Sequence, residues 1–490
     1  MQYETVIGLE VHAQLLTKSK MFCACSTAYQ EAAPNTHVCP VCLGMPGVLP
    51  IINRRAVEYA MMLGLAVNCT INHHSKMDRK NYPYPDLMKG YQISQYDEPL
   101  CSGGWLDVEV EGTTKHIGIT RVHMEEDTAK LSHNAADGET YSLVDVNRGG
   151  VPLMEIVSEP DMRSAEEARQ YLTKLRSILR YLGISSGDLE QGAFRCDANV
   201  SVRPLGAHEF GTKVEVKNMN SFRSVFLAIQ FEEARQREML DAGQTIRQET
   251  RGWVDNRNET VSQRSKEMAH DYRYFPEPDI PSLEVNPEWV AQLKAQLPEL
   301  PEARRARFEQ QFGLSGYEAG VLTATRAMAE FFEATVTLPV AGNGTVPSDL
   351  WARAKWVSNW CTGELMRLLN AHNQEIEDTK VTPASLAALL DLMDAGKLNQ
   401  TAAKTVFEAM FTTGKAPVAI MEEQGLAQMS NADELTQIVI KVIADTPQAV
   451  ADYKAGKQAA LGALMGKVMK ETRGRANAGL VTELLKAQLD

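Results

Sequence analysis

Polar and apolar residues alternate along much of the first 280 residues. The runs TVIGLEVHAQL, HIGITRVHMEED, YSLVDV, FRCDANVSVR and GTKVEVK carry the two-residue period of half-buried strands. After Ser164 the period lengthens: Ala168, Tyr171, Leu172, Leu175, Ile178, Leu179 and Leu182 recur at helical spacing. Ser164 with Glu167 three residues on predicts a capping box, and Gly183 predicts the end of that helix. A second helix is predicted from Asn220 or Ser221 through FRSVFLAIQFEEARQREML to about Gly243. PYPD at Pro83–Asp86 and PEPD at Pro276–Asp279 predict two rigid turns.

From Pro276 to Pro301 six prolines interrupt any regular element, and Ala-, Leu-, Glu- and Lys-rich helical text follows. The expected fold class is therefore α+β, with a large, mainly antiparallel sheet forming a cradle and an all-α region after it. The chain has 490 residues, which suggests roughly three domains. The expected divisions are 1–292, 293–411 and 412–490, the last placed by a polar, Gly-containing stretch around 400 to 412.

The formal charge of −13 argues against indiscriminate coating of nucleic acid, so an RNA partner must be met by a local basic patch. Such a patch exists near the end, where Lys454, Lys457, Lys467, Lys470, Arg473 and Arg475 face a single acid, Glu471, across 454–475. A merely solvated helical face is the alternative. No apolar run approaches membrane-spanning length, and the charged start MQYETVIGLEVH is unlike a signal peptide; a cytoplasmic protein without membrane partners is expected.

Eight cysteines are too sparse for a disulfide scaffold. Cys23, Cys25, Cys39 and Cys42 are grouped as C-x-C and C-P-V-C-L-G, a spacing that suits four thiolates around a structural zinc; reduced, unliganded thiols are the alternative. Cys69, Cys101, Cys196 and Cys361 are scattered and read as core residues.

Strand alternation puts Glu10, His12 and Gln14 on one face, and Arg121, His123 and Glu125 on one face of another strand. Glu155 lies within the apolar run VPLMEIV, where a lone carboxylate is costly unless paired or metal-bound. His12, Glu125 and Glu155, with Glu10 beside them, form a donor set suited to Mg²⁺ bridging a nucleotide; an ion-paired sheet face carries equal weight. Arg195, Asp197, Asn199, Ser201 and Arg203 form another polar strand face, as do Lys213, Glu215 and Lys217. DRKNYPYPDLMKGYQISQ places Arg79, Lys80 and Lys89 among tyrosines on a proline-stiffened segment, a composition suited to phosphate and base recognition and equally to surface packing. Neither G-x-x-x-x-G-K-[ST] nor G-x-G-x-x-G occurs. GISSG at Gly183–Gly187 follows a helix rather than a strand, so it reads as a cap and turn.

YETVIGLEVHAQL, DRKNYPYPDLMKGYQISQ, GITRVHMEEDTAK, LVDVNRGGVPLMEIVSEPD, RCDANVSVRP, KNMNSF and DYRYFPEPD together resemble the B-subunit family of aspartyl/glutamyl-tRNA(Asn/Gln) amidotransferases. The resemblance extends over essentially the whole chain. It implies a transamidase that uses ATP and Mg²⁺ to phosphorylate the side-chain carboxylate of Glu-tRNA(Gln) or Asp-tRNA(Asn), which ammonia then amidates. It implies that His12, Glu125 and Glu155 ligate the metal, with Glu10 adjoining, and that Cys23, Cys25, Cys39 and Cys42 hold a structural Zn²⁺. Arg79, Lys80, Arg195 and Lys217 are the expected phosphate or substrate contacts, and the basic cluster at 454–475 belongs to a YqeY-like tRNA-binding tail. The implied partners are an amidase that supplies ammonia, a small third protein that completes a heterotrimer, misacylated tRNA, and the cognate aminoacyl-tRNA synthetase. A stand-alone carboxylate–amine ligase and a non-catalytic tRNA-binding scaffold are the competing readings.

Overall fold

A computed structural model of the chain describes residues 2–136, 139–265, 272–340, 349–429, 432–455, 457, 459–472 and 474–489. The chain divides into two compact units, Met1–Leu300 and Pro301–Asp490.

The strands of the first unit are β1 (Tyr3–Gln14), β2 (Thr70–Ile71), β3 (His74–Ser75), β4 (Asp78–Asn81), β5 (Tyr91–Ser94), β6 (Cys101–Val110), β7 (Thr113–Glu126) and β8 (Lys130–Ala136). They continue as β9 (Glu139–Asp145), β10 (Pro152–Ser158), β11 (Phe194–Pro204), β12 (Val214–Lys217), β13 (Glu249–Val254), β14 (Glu259–Ser265), β15 (Phe275–Pro276) and β16 (Leu283–Glu284). Nine of them form one sheet in the order β14-β13-β12-β11-β1-β10-β7-β6-β2. Every pairing in it is antiparallel except β12 with β13, so the expected mainly antiparallel sheet is present. A small sheet of β15, β4 and β5 stands apart from it.

The apolar half of each alternating strand packs against helices α1 (Arg54–Ala66), α2 (Ala165–Tyr181) and α3 (Phe222–Asp241). Val11, Ala13, Val122, Met124, Met154, Ile156, Cys196 and Ala198 share one buried core with Tyr171, Leu172, Val225 and Ile229 from these helices. Burying one face of the sheet in this way forces the intervening residues, the polar ones, onto the other face. Helix α4 (Pro287–Gln296) also joins the first core through Leu293, which carries that unit to Leu300.

Ser164 caps α2 as expected, its hydroxyl accepting the Glu167 N–H at 3.1 Å. The Glu167 carboxylate closes the box one residue earlier than expected, on the Arg163 N–H at 2.6 Å, and also takes Lys115 at 2.8 Å. Gly183 follows α2 with φ +67°, a left-handed conformation that suits glycine. In PEPD the turn begins only after Pro276, because Phe275 and Pro276 pair with Arg79 and Asp78 as a strand.

The second unit is helical and holds two cores. Phe308, Phe312 and Phe332 centre the first, which also takes Val406, Phe407, Met410, Ile420 and Met421. Leu435, Val439, Leu464, Val468, Val481 and Leu485 make the other. The stretch around 400 to 412 lies within the helix Gln400–Thr413, whose apolar residues belong to the first of these cores; the cores part between Leu426 and Met429. No described helix is long and apolar enough to cross a membrane.

Glu232 fastens α3 beneath the far strands of the sheet. Its side chain is fully enclosed and meets Arg235 at 2.8 Å, Arg251 at 3.0 Å, Gln236 at 3.2 Å and the Thr260 hydroxyl. Glu232→Ala leaves the half-buried Arg235 guanidinium without its anion and Arg251 with Glu249 alone, so the unfolding free energy of the first unit should fall by about 3 kcal/mol. Chemical denaturation of wild type and variant checks this; a change within about 0.5 kcal/mol would show that the cluster does not fasten the helix.

Candidate functional site

The register of the central strands sets the polar face out as a grid. His123 on β7 lies opposite Glu155 on β10, Glu155 opposite His12 on β1, and His12 opposite Arg195 on β11. The neighbouring row runs Arg121, Val157, Glu10, Asp197 across the same strands. These residues face a cavity of about 620 Å³, bordered also by Lys80 and Gln92 of the β4–β5 pair and by Tyr272 and Tyr274.

At its centre His12, Glu125 and Glu155 bring one donor atom each within 4.8 Å of one another. His12 Nε2 is 3.4 Å from Glu155 Oε2 and 3.7 Å from Glu125 Oε1. Both carboxylates are nearly fully enclosed, at 7% and 2% exposure, so each needs a positive or hydrogen-bonding partner. Glu155 has a second imidazole, His123, at 3.3 Å, and Glu125 accepts from the Ser94 hydroxyl at 3.2 Å. Burial by itself would lower the pKa of His12, but Glu155 and Glu125 outweigh it and raise it to about 9. Burial likewise opposes ionisation of Glu155, yet His123 and His12 hold its pKa well below the ordinary carboxylate range. Two carboxylates and one imidazole, which gives up its proton when a cation takes its place, have mutually close donor atoms that fit a hard divalent cation.

Lys80 reaches the cavity beneath an aromatic screen, its ammonium 5.0 Å from the Tyr272 ring and 5.9 Å from the Tyr82 ring. Burial works against its charge, but Glu125, Tyr274 and Glu155 more than compensate and raise its pKa, so it stays an ammonium. Arg195 donates to Asp127 at 3.1 Å, and Asp127 is held from other sides by Gln14 at 2.7 Å and Arg148 at 3.7 Å. Lys217 pairs with Asp197 and, at 3.2 Å, with Glu215. Glu10, Asp197 and Glu215 are a second close acidic group, with Lys217 already among them. Glu10 accepts from Asn199 at 2.8 Å.

Arg79 does not reach the cavity. It points away from Lys80, grips Glu277 through two hydrogen bonds of 2.7 and 2.8 Å, and lies over the Tyr91 ring at 4.3 Å, so it ties the small sheet together. Adjacent residues of a strand face opposite sides, and only one of Arg79 and Lys80 can serve the site. Composition alone does not single out Asp127, Tyr272 and Tyr274. Asp127 lies just past the end of β7, and its partners come from distant segments.

Cys23, Cys25, Cys39 and Cys42 converge at the surface of the same unit, their sulfurs all within 4.8 Å of one another. The Cys39 N–H donates to Cys42 Sγ at 3.1 Å, and Gly44 closes the knuckle with φ +65°, where a Cβ would strike Lys89. The Cys23 thiol, and to a lesser degree the Cys39 N–H and the Lys20 ammonium, stabilise the Cys42 thiolate and hold its pKa well below the ordinary thiol range. This sulfur set fits a tetrahedral thiophilic cation. Cys69, Cys101, Cys196 and Cys361 are buried in the cores.

In the second unit Lys454, Lys457, Lys467 and Lys470 are exposed, with Lys457 paired to Asp452 at 3.1 Å. Arg475 is engaged internally, its guanidinium donating to the carbonyls of Thr472 and Gly425 at 3.2 and 3.3 Å. Arg473 lies outside the described residues.

The GatB/GatE catalytic domain matches residues 5–291 and the GatB domain matches 348–489. A protein of Dehalococcoides mccartyi, named as the B-subunit of aspartyl/glutamyl-tRNA(Asn/Gln) amidotransferase, is 57% identical over 492 residues, covering 100% of this chain and 99% of the relative. Proteins of the same name from Carboxydothermus hydrogenoformans and Thermoanaerobacter pseudethanolicus are 54% and 53% identical over 489 residues, covering 100% of this chain and 99% and 100% of themselves.

The grid makes a spectroscopic prediction. Glu155→Gln removes the nearest negative charge from His12, so the imidazole pKa should fall from about 9 to its ordinary value of about 6.5 or lower. Titration of the metal-free chain by NMR reads this directly, and a value still near 9 would mean that Glu155 does not sustain the imidazolium.

Proposed function

The chain belongs to the B-subunit family of aspartyl/glutamyl-tRNA(Asn/Gln) amidotransferases, and from that premise we propose that its polar cavity activates the side-chain carboxylate of Glu-tRNA(Gln) or Asp-tRNA(Asn) with ATP. The observation that carries the reading is the meeting, in one cavity, of His12, Glu125 and Glu155 with Lys80, Arg195 and Lys217. Ammonia cannot displace oxide from a carboxylate. Transfer of the γ-phosphoryl group to a carboxylate oxygen, with ADP leaving, gives an acyl phosphate; ammonia then attacks the carbonyl carbon and inorganic phosphate departs.

His12, Glu125 and Glu155 are the residues to hold Mg²⁺, which when bound offsets charge on the transferring phosphoryl oxygens. Lys80 and Arg195 offer fixed positive charge to phosphate or carboxylate oxygens, and Asp127 holds Arg195 in place. Lys217 does the same from the β12 side. Among the described residues Glu10 pairs with no cation and has one oxygen engaged by Asn199, which suits it to accept the proton that ammonia loses. The tyrosines over Lys80 shield the site from bulk water.

The relatives' name, which makes each of them one subunit of a larger enzyme, supports a division of labour. Ammonia comes from a glutaminase partner, and a small third protein completes a heterotrimer, with the cognate aminoacyl-tRNA synthetase as a further associate. Exposed Lys454, Lys457, Lys467 and Lys470 suit contact with the phosphates of the tRNA body. The four-cysteine knuckle is a structural Zn²⁺ site, since a closed thiolate shell leaves no position for substrate.

Glu125→Ala should lower ATP hydrolysis dependent on misacylated tRNA by about a hundredfold or more. Size-exclusion chromatography should still show the variant assembled with its partner proteins. Hydrolysis at the wild-type rate would exclude Glu125 from the reaction. For the knuckle, elemental analysis of the purified chain should find one zinc, absent from Cys42→Ala, together with a lower thermal midpoint for that variant. Equal zinc content in both proteins would remove the cysteines from metal binding.

A further inference from the structure

The other cations bordering the cavity have partners: Lys217 has Asp197 and Glu215, Arg195 has Asp127, and Lys80 has the Tyr272 ring. Arg121 differs from them. It is half-buried on β7, on the face shared with His123 and Glu125, and its Nε is enclosed without a hydrogen-bond acceptor. Among the described residues no carboxylate lies within ion-pair distance of it. Its neighbours across the sheet are Val157 on one side and Ser102 on the other, neither of which can balance a charge.

Arg121 also stands at a junction. It borders the cavity of about 620 Å³ and, with Tyr96, a second cavity of about 570 Å³ whose lining includes Asn72, Ser102 and Thr120 and two acids that have their own partners, Asp97 with Lys76 and Glu98 at 3.6 Å from His74. A reaction between two bulky substrates needs two compartments that meet where the groups react. A half-buried guanidinium without an anion is unfavourable in the empty protein and is relieved by a ligand that brings one. Its planar fork of donors matches a pair of oxygens on one phosphate or carboxylate.

We propose that Arg121 binds an anionic oxygen group of a substrate where the two cavities meet, either a phosphate of the nucleotide or the side-chain carboxylate of the aminoacyl group. The proposal rests on the phosphorylation reading of this site and assigns it a substrate-binding residue.

The test uses Arg121→Gln and Arg121→Lys in the assembly with the partner proteins, measuring KM for ATP and for Glu-tRNA(Gln) separately in tRNA-dependent phosphate release. One of the two KM values should rise by about tenfold to a hundredfold in Arg121→Gln and by less in Arg121→Lys. The thermal midpoint should be unchanged or higher, since no native partner is lost. In a third variant, Arg121→Ala, added guanidinium should restore part of the affinity lost. A rise in KM for ATP identifies the anion as phosphate, and a rise in KM for the charged tRNA identifies it as the aminoacyl carboxylate. Both KM values unmoved in variants of an active enzyme would overturn the role of Arg121. A wild-type assembly that releases no phosphate with charged tRNA would instead overturn the phosphorylation reading, before any variant is made.

Discussion

The antiparallel register of β7, β10, β1 and β11 is the constraint on which the site depends. It brings His123, Glu155, His12 and Arg195 side by side although they lie far apart in sequence. Side chains alternate with a period of two, so a slip of one residue in any pairing would turn a polar row into the helices and an apolar row into the cavity. Hydrophobic burial forbids that slip: Val11, Ala13, Met124, Met154, Ile156, Cys196 and Ala198 are committed to the core under α1, α2 and α3. The energy that fixes the polar face thus comes from the opposite one.

Charge balance is the second layer. Carboxylates as enclosed as Glu125, Glu155 and Asp127 cannot stand alone, and each is met by an imidazole, a guanidinium or a hydroxyl from another segment. The pairs divide by location. Arg79 with Glu277 and Lys89 with Glu126 lie off the cavity and stitch the small sheet to its surroundings. Lys80, Arg195 and Lys217 border the cavity, where their charge is positioned but still reachable by a ligand. Preorganisation of this kind lets fixed charges meet developing charge without reorganising solvent.

Much of this is legible in the sequence because a two-residue period is a local signal. It assigns Glu10 with His12, His123 with Glu125, and Arg195 with Asp197 to common faces, and it shows Glu155 as a carboxylate among apolar neighbours. What it leaves open is the pairing of strands, which brings those faces into rows. Composition groups Arg79 with Lys80, whereas alternation separates them. Asp127, beyond the strand end, becomes visible only through partners from distant segments, and Arg475 reads as a surface cation until its backbone acceptors are seen. A division is expected around 400 to 412, yet Ala402, Val406, Phe407 and Met410 keep helical spacing there and are buried in one core.

The central claim is that this grid phosphorylates a carboxylate carried by tRNA. The most direct measurement is γ-phosphate release from ATP by the chain assembled with its partner proteins, given Glu-tRNA(Gln) or uncharged tRNA, in Mg²⁺ and then in EDTA. The account predicts release only with the charged tRNA and only with the divalent cation. Release indifferent to the aminoacyl group, or persisting in EDTA, would contradict it.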